Sequence, residues 1–207
     1  MISQNFSKVT RQLMPTLVVA TGNPGKLAEM QAYLTGLDWQ LALKPPDLEI
    51  EETGSTFLEN AGLKASQVAA ALGSWAIADD SGLMVDALGG APGIYSARYG
   101  TDDGDRIQRL LRELGDAADR TAQFVCAVAI ARPDGSIALQ TEGICRGAIL
   151  AAPRGSGGFG YDPIFYVPTE KMTFAEMPPA LKHTVSHRGQ AFLSLLPQLP
   201  ALLTETP

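Results

Sequence analysis

Two long apolar segments joined by a turn sequence constrain the fold of this chain most. The first segment, TAQFVCAVAIA, covers residues 121–131, and the second, SIALQTEGICRGAI, covers residues 136–149. Between them stands RPDG, whose proline, aspartate and glycine are typical turn residues. The pattern predicts a long antiparallel β-hairpin. Any fold of the chain has to contain these two paired strands.

Before the hairpin, strand patterns alternate with helix patterns. The short apolar runs LVVA, residues 17–20, and WAIAD, residues 75–79, predict strands, and LMVDAL, residues 83–88, is a candidate for a third. Apolar residues at helical spacing predict helices after LVVA, within residues 57–72 and within residues 103–114. This order predicts an α/β fold with a central mixed sheet flanked by helices.

Length and composition predict one globular domain. The 207 residues are 45% hydrophobic and 18% charged, which are the proportions of an ordinary soluble protein. We expect residues 17–207 to form a single domain. The polar residues 1–16 lack clear periodicity, so we expect them to form a flexible N-terminal extension.

Charge and cysteine content argue against several classes of partner. A net charge of -6 and a pI near 4.9 disfavour binding to nucleic acid or to anionic membranes. No apolar run approaches the ~20 residues that are needed to span a bilayer. Cys126 and Cys145 are too few for a disulfide framework, and no secretory leader opens the sequence. We therefore expect a reducing cytoplasm.

The loop TGNPGK, Thr21 to Lys26, is a candidate anion site. It lies between a predicted strand and a predicted helix, where free backbone N–H groups and the helix dipole favour a phosphate. It is not a Walker A loop, because Leu27 follows the lysine where that motif needs Ser or Thr. Two interpretations stay open at this point, namely a phosphate site and an ordinary helix start with an exposed lysine.

Four carboxylates are candidates for a magnesium site: Glu51, Glu52, Asp79 and Asp80. Mg²⁺ prefers oxygen ligands and bridges to phosphate oxygens. Neighbouring side chains on a strand point to opposite faces, so Asp79 and Asp80 should not share one role. We expect one of them to face the site and the other to brace the loop. The alternative for each acid is a solvated loop residue.

The glycine-rich stretch GSGGFGYDP, residues 155–163, is a candidate nucleobase site. Its glycines let the backbone approach a ligand, and the rings of Phe159 and Tyr161 can stack on a base. A flexible loop anchored by two core aromatics is the alternative.

The histidines His183 and His187 lie four residues apart, as two metal ligands on a helix would. However, Thr184 stands where the zincin motif needs its glutamate, and no third soft ligand is evident. His187 with Arg188 is better explained as a donor pair for carbonyl or phosphate oxygens.

Five blocks taken in order resemble the XTP/dITP diphosphatase family, whose members are similar to inosine triphosphatase. The blocks are TGNPGK, EETGSTFLENAGLKA, AIADDSGLMVDALGGAPGIYSARYG, GGFGYDPIF and SHRGQA, and they run from about Leu17 to Leu196. The resemblance implies an elongated α/β fold with two lobes and an active-site cleft between them. It also implies a Mg²⁺-dependent, homodimeric, cytoplasmic enzyme that hydrolyses ITP, dITP and XTP to the monophosphate and pyrophosphate.

By motif position, the resemblance implies roles for individual residues. Asp80 is implied as the general base and, with Glu51, as a metal ligand; the adjacent Glu52 remains an alternative. The implied substrate-binding residues are Thr21, Gly22, Asn23, Pro24, Gly25, Lys26, Lys64, Ser81, Phe159, Gly160, Tyr161, Asp162, Lys182, His187 and Arg188. The last three are implied to meet the 6-oxo edge of the purine, which favours keto purines because adenine presents an amino group there.

Overall fold

One mixed sheet of seven strands forms the centre of the fold. The structure, a computed structural model, describes residues 14–202, so most of the predicted N-terminal extension lies outside the described residues. The strands are β1 (Thr16–Val19), β2 (Gln40–Leu43), β3 (Trp75–Val85), β4 (Thr121–Ala131), β5 (Ile137–Ile149), β6 (Phe165–Val167) and β7 (Met172–Thr173). Across the sheet they lie in the order β2, β1, β3, β4, β5, β6, β7. The contacts of β1 with β2 and β3 are parallel, and all the others are antiparallel.

Helices pack on both faces of this sheet. The α-helices are α1 (Pro24–Leu34), α2 (Phe57–Leu72), α3 (Asp103–Leu114), α4 (Pro179–Val185), α5 (His187–Leu195) and α6 (Leu199–Leu202). Short 3-10 helices cover Asp86–Leu88, Gly93–Arg98, Phe174–Glu176 and Leu196–Gln198. The predicted α/β class with a mixed sheet is therefore confirmed. Within residues 14–202, no helix combines the length and the apolar character needed to cross a membrane.

The predicted hairpin is present as β4 and β5. The two strands pair antiparallel from Thr121 opposite Ala148 to Ile130 opposite Leu139. The turn is closed by the Arg132 N–H, which donates to the Ser136 carbonyl at 2.8 Å. β4 is apolar at nearly every position because it lies in the middle of the sheet with side chains buried on both faces.

β3 is one continuous strand of 11 residues, where the sequence predicted two separated strands. It stays paired with β4 throughout, and Asp79 lies opposite Val128 in mid-strand. The predicted break between Asp79 and Leu83 is wrong, because Asp80, Ser81 and Gly82 remain within the strand. A Cβ on Gly82 would collide with the Gly93 carbonyl, so this glycine makes room for the 3-10 helix that begins there.

Alternate residues of β3 face different helices. Ile77 lies in an apolar cluster with Met30 of α1 and Phe192 of α5. Ala78, its neighbour, lies in a second cluster with Ala65 of α2. Any two consecutive residues of β3 therefore point into opposite layers of the molecule.

The helix starts follow the capping signals in the sequence. Thr56 and Glu59 form the predicted capping box at the start of α2. Asn23 caps α1, because its side-chain oxygen accepts from the N–H groups of Gly25 and Lys26. These caps fix where each helix begins beside the sheet.

Candidate active site

Two cavities meet beside β3, where this strand extends past the end of β1. The two strands pair only as far as Val19 opposite Ile77, so the next residues of β3 have no partner on the β1 side. The chain leaves β1 at this point and enters the loop before α1. After β1, the chain continues to β2 on one side of β1 and then to β3 on its other side. In open α/β sheets, ligands commonly bind at a position where the strand order reverses in this way.

The two cavities share a wall. The aromatic cavity is lined by Asn23, Lys26, Ser81, Gly82, Ser96, Ala97, Arg106, Phe124, Phe159, Gly160, Tyr161, Asp162, Lys182, His187 and Arg188. The charged cavity is lined by Ala20, Thr21, Gly22, Asn23, Lys26, Lys44, Leu48, Ile50, Glu52, Lys64, Asp80, Ser81, Ile94, Ala97 and Arg98. Asn23, Lys26, Ser81 and Ala97 line both, so the cavities are adjacent.

The structure separates Asp79 and Asp80, as the strand pattern predicts. Asp79 points into the layer of α1 and α5, where it contacts Lys26 and Arg188. Asp80 points into the layer of α2, where it contacts Lys64. The two neighbouring carboxylates thus face opposite layers of the molecule.

Asp80 lies in the charged cavity with one carboxylate oxygen uncommitted. Its Oδ1 accepts from Lys64 Nζ at 3.0 Å. Its Oδ2 is buried and has no hydrogen-bond partner among the described residues. Burial lowers the pKa of Lys64, but the carboxylates of Asp80, Asp79 and Glu52 raise it by a larger amount. The resulting pKa lies above its usual value. Lys64 therefore remains a cation beside Asp80.

Glu52, and not Glu51, is the second acid of the charged cavity. Its Oε1 lies 3.4 Å from Lys64 Nζ, and its Oε2 lies 3.4 Å from Arg98. Glu51 does not line the cavity; its backbone N–H and carbonyl are held by the Gln67 side chain, and the residue is exposed. The geometry favours Glu52, the alternative that the sequence leaves open.

Asp79 is the buried centre of an ion network. Arg188 lies 2.8 Å from its Oδ2, and Lys26 lies 3.2 Å from the same oxygen. Burial raises the pKa of Asp79, but Lys26, Arg188 and Lys64 outweigh burial and hold this pKa well below its usual value. Asp79 is therefore an ionised counterion to cations that line the aromatic cavity.

Glu29 of α1 extends this network. It forms ion pairs with Lys182, at 2.9 Å, and with Arg188. The Arg188 guanidinium also donates to Ser81 Oγ at 2.9 Å. Sequence reasoning missed Glu29, although its position three residues after Lys26 places both on one side of α1.

The first turn of α1 differs from the expected cradle of free N–H groups. The N–H groups of Gly25 and Lys26 donate to Asn23 Oδ1 at 2.9 and 3.1 Å, and the Asn23 N–H donates to Thr21 Oγ1. Pro24 and Gly25 line neither cavity. Gly25 instead lets α1 approach the Phe159 ring, which a Cβ there would overlap. The side chains of Asn23 and Lys26 are what this loop offers to an anion.

Aromatic and cationic side chains surround the aromatic cavity. Lys182 Nζ lies 5.1 Å from the Phe159 ring centroid and 2.6 Å from the carboxylate of Asp162. Burial lowers the pKa of Lys182, but Asp162 and Glu29 raise it, and the net pKa lies above its usual value. The cavity thus combines a stacking surface with a charged donor.

His187 is neutral in this cavity. Its ring stacks on Phe124 at 4.6 Å between centroids. Burial, together with the charges of Arg188 and Lys182, lowers the pKa of His187 well below its usual value. Its Nδ1 is buried without a hydrogen-bond partner among residues 14–202. His183 does not line the cavity and instead packs against Tyr33, so the two histidines do not form a metal site.

The loop that carries Phe159 depends on a glycine with a left-handed backbone. Gly158 has a φ of 73°, and a Cβ there would overlap the Asp162 carboxylate. Asp162 Oδ2 in turn accepts from the Phe159 N–H at 2.9 Å. The glycine is therefore required for Asp162 to hold this loop.

The carboxylates of the charged cavity fit a divalent cation whose other coordination positions are filled by water and by a bound phosphate. Among the described residues, no group of three or more His, Cys, Asp and Glu side chains could hold a metal ion alone. Glu52 and Asp80 supply two carboxylates, and Asp80 Oδ2 is available. Mg²⁺ is usually bound by one or two carboxylates together with waters and substrate phosphates, which matches this arrangement.

A sequence model of the Ham1 family matches residues 17–198. The chain belongs to the Ham1 family. Its relatives include a dITP/XTP pyrophosphatase from Nostoc sp., which is 69% identical over 92% of this chain and 97% of that protein. A dITP/XTP pyrophosphatase from Synechocystis sp. is 65% identical over 91% of this chain and 97% of that protein.

Solved Ham1 structures share the fold. A HAM1 protein from Coxiella burnetii superimposes with a TM-score of 0.84 at 44% identity, covering 91% of this chain and 100% of that one. The Ham1 protein from Staphylococcus aureus gives a TM-score of 0.81 at 42% identity, covering 90% and 99%. Both cavities of this Ham1 chain are lined only by residues within the matched range.

Proposed function

We propose that this Ham1 chain hydrolyses ITP, dITP and XTP to the nucleoside monophosphate and pyrophosphate, and so removes deaminated purines from the nucleotide pool. The observation that carries this proposal is the pair of adjacent cavities, one aromatic and donor-rich and the other lined by lysines and carboxylates. The names of the relatives from Nostoc and Synechocystis support the same substrates.

The aromatic cavity suits a purine with an oxo group. Phe159 and Tyr161 offer ring surface for stacking, and Lys182 and Arg188 are cations that donate but cannot accept a hydrogen bond. Neutral His187 adds a ring whose Nδ1 is free of protein partners among the described residues. An amino group at the purine 6-position would leave these donors unpaired, which is costly in a buried site.

The charged cavity suits the triphosphate. Lys26 and Asn23 lie on the wall between the cavities, where they can contact phosphates of a nucleotide whose base occupies the aromatic cavity. Lys64 and Lys44 line the charged cavity but not the aromatic cavity. These cations stabilise the pyrophosphate as it leaves.

Asp80 is the proposed general base. With Oδ1 held by Lys64, its uncommitted Oδ2 orients a water and accepts its proton as the water oxygen attacks the α-phosphorus. The new bond joins this oxygen to the α-phosphorus, and the bond from the α-phosphorus to the bridging oxygen of pyrophosphate breaks. Asp80 and Glu52 would hold Mg²⁺, which when bound neutralises charge on the phosphate oxygens.

Replacing Glu52 tests which acid serves the metal. We expect Glu52→Gln to raise the Mg²⁺ concentration needed for half-maximal activity about tenfold or more, since a cavity carboxylate is lost. The matched variant Glu51→Gln removes the same charge one residue away and should change this concentration less than about twofold, because Glu51 lies outside the cavity. Titration of activity with MgCl₂ measures both. A larger effect at Glu51 would transfer the role to that residue.

A panel of nucleoside triphosphates tests the proposed function. With Mg²⁺ and pyrophosphate detection, ITP, dITP and XTP should be hydrolysed at least about 100-fold more efficiently than ATP, by the discrimination typical of buried polar sites. Preference for modified pyrimidine triphosphates would identify a different nucleotide pyrophosphatase. Tight nucleotide binding without Mg²⁺-dependent turnover would indicate a nucleotide-binding protein instead.

We further propose that the protein acts as a homodimer in a reducing cytoplasm. Its two cysteines, Cys126 and Cys145, are free and buried, which is compatible with a reducing compartment. Light scattering coupled to gel filtration measures the mass in solution, and a mass of one chain would contradict the dimer.

A further inference from the structure

Two neighbouring N–H groups of the loop in the aromatic cavity are held by two different carboxylates. The Phe159 N–H donates to Asp162, at 2.9 Å. The next N–H, of Gly160, donates to Asp103 Oδ2 at 2.7 Å, and Asp103 belongs to the first turn of α3. The loop is therefore fixed from two sides, by its own aspartate and by a helix distant in sequence.

Each of these carboxylates also holds a cation that lines the aromatic cavity. Asp162 holds Lys182, at 2.6 Å. Asp103 holds Arg106, through Oδ1 and Nη1, also at 2.6 Å. Arg106 is thus a further carboxylate-supported cation of the cavity, contributed by α3 and independent of the ion network around Asp79.

Arg106 has donor capacity that the protein does not use. Its Nε is buried and has no hydrogen-bond partner among residues 14–202, while the side chain as a whole is 23% exposed. A guanidinium has five N–H donors, so the exposed part of this side chain can donate to an acceptor on a ligand in the cavity. The pairing with Asp103 limits the guanidinium to a narrow range of positions in the cavity wall.

We propose, on the basis of the proposed function, that Arg106 is a specificity-determining residue that donates to the 2-oxo group of xanthine. Lys182, His187 and Arg188 supply donors for one oxo group, which hypoxanthine and xanthine share. Only xanthine carries a second oxo group. Guanine carries an amino group at that position, and a guanidinium has no acceptor for it. Asp103 is the corresponding positioning residue.

Substitution of Arg106 separates the two substrates. For Arg106→Gln, we expect kcat/KM for XTP to fall about tenfold through KM, the effect of losing one hydrogen bond from a charged donor. The value for ITP should fall less than about twofold. Arg106→Lys should retain part of the preference for XTP, because it keeps the charge. The deoxyribonucleotides dXTP and dITP have the same sugar as each other. The ratio of their losses in kcat/KM should equal the ratio for XTP and ITP.

The matched control is Arg112→Gln, which removes an exposed arginine from the same helix without touching the cavity. It should leave both kcat/KM values unchanged, and thermal unfolding of all variants checks that α3 remains folded. Asp103→Asn should reduce XTP hydrolysis more than ITP hydrolysis. Equal losses for XTP and ITP, or no loss, in Arg106→Gln would overturn the role of Arg106. Wild-type protein that hydrolyses neither nucleotide would instead overturn the proposed function.

Discussion

Asp80→Asn is expected to lower kcat for dITP by about 10³-fold or more while the protein still folds. The substitution removes the carboxylate that orients and deprotonates water, an effect worth about 10²–10⁴-fold for general bases, and removes a metal ligand as well. The fold should survive because Lys64 keeps its contact with Glu52, at 3.4 Å. Pyrophosphate release under single-turnover conditions measures the loss directly.

The control for this variant is Asp86→Asn. Asp86 is exposed at the start of the 3-10 helix that follows β3, and it lines neither cavity. It should hydrolyse dITP at the wild-type rate. Near-normal hydrolysis by Asp80→Asn would remove Asp80 from the mechanism and leave the general base to another group.

Asp79→Asn is expected to destabilise the protein by about 3–5 kcal/mol, the typical cost of removing one partner from a buried ion pair. Asp79 and Arg188 are each only 1% exposed, so neither water nor salt can replace the lost charge. Lys26 loses the same partner, at 3.2 Å. Urea denaturation measures the free energy of unfolding, and Asp80→Asn is the matched comparison because it should cost much less.

The same carboxylate makes stability depend on pH. The folded-state pKa of Asp79 lies below its ordinary value of about 3.9. Its stabilising contribution is therefore complete above that ordinary pKa and is lost as pH falls below it towards the folded-state pKa. Between about pH 4 and pH 2, wild-type stability should fall more steeply than that of Asp79→Asn. Parallel pH profiles, or a destabilisation below about 1 kcal/mol, would show that Asp79 is not the centre of the network.

Much of the fold could be predicted because its long elements carry strong patterns. β4 and β5 are long enough to show a hairpin around RPDG, and α2 carries a complete capping box at Thr56 and Glu59. The different directions of Asp79 and Asp80 followed from the two-residue period of a strand alone. These features depend on local chemistry, which the sequence displays directly.

The rest depends on contacts between distant segments. β6 and β7 have three and two residues, too short for a period to appear. β3 continues past its carboxylates because β4 pairs with it there, which local apolarity does not reveal. Asp103 and Arg106 have the spacing of any exposed helical ion pair, and only the fold brings them to the loop at Gly160.

Because β3 lies between two layers of helices, its sequence can change in length only with a large effect on the site. Inserting or deleting one residue between Trp75 and Asp79 would turn each following side chain to the other face, exchanging the proposed base for the buried counterion. Such a change would also disturb the ladder with β4, which holds this segment along its whole length. Variation in the chemistry at these positions is therefore restricted to substitutions, whereas the loops around the cavities remain open to changes in length.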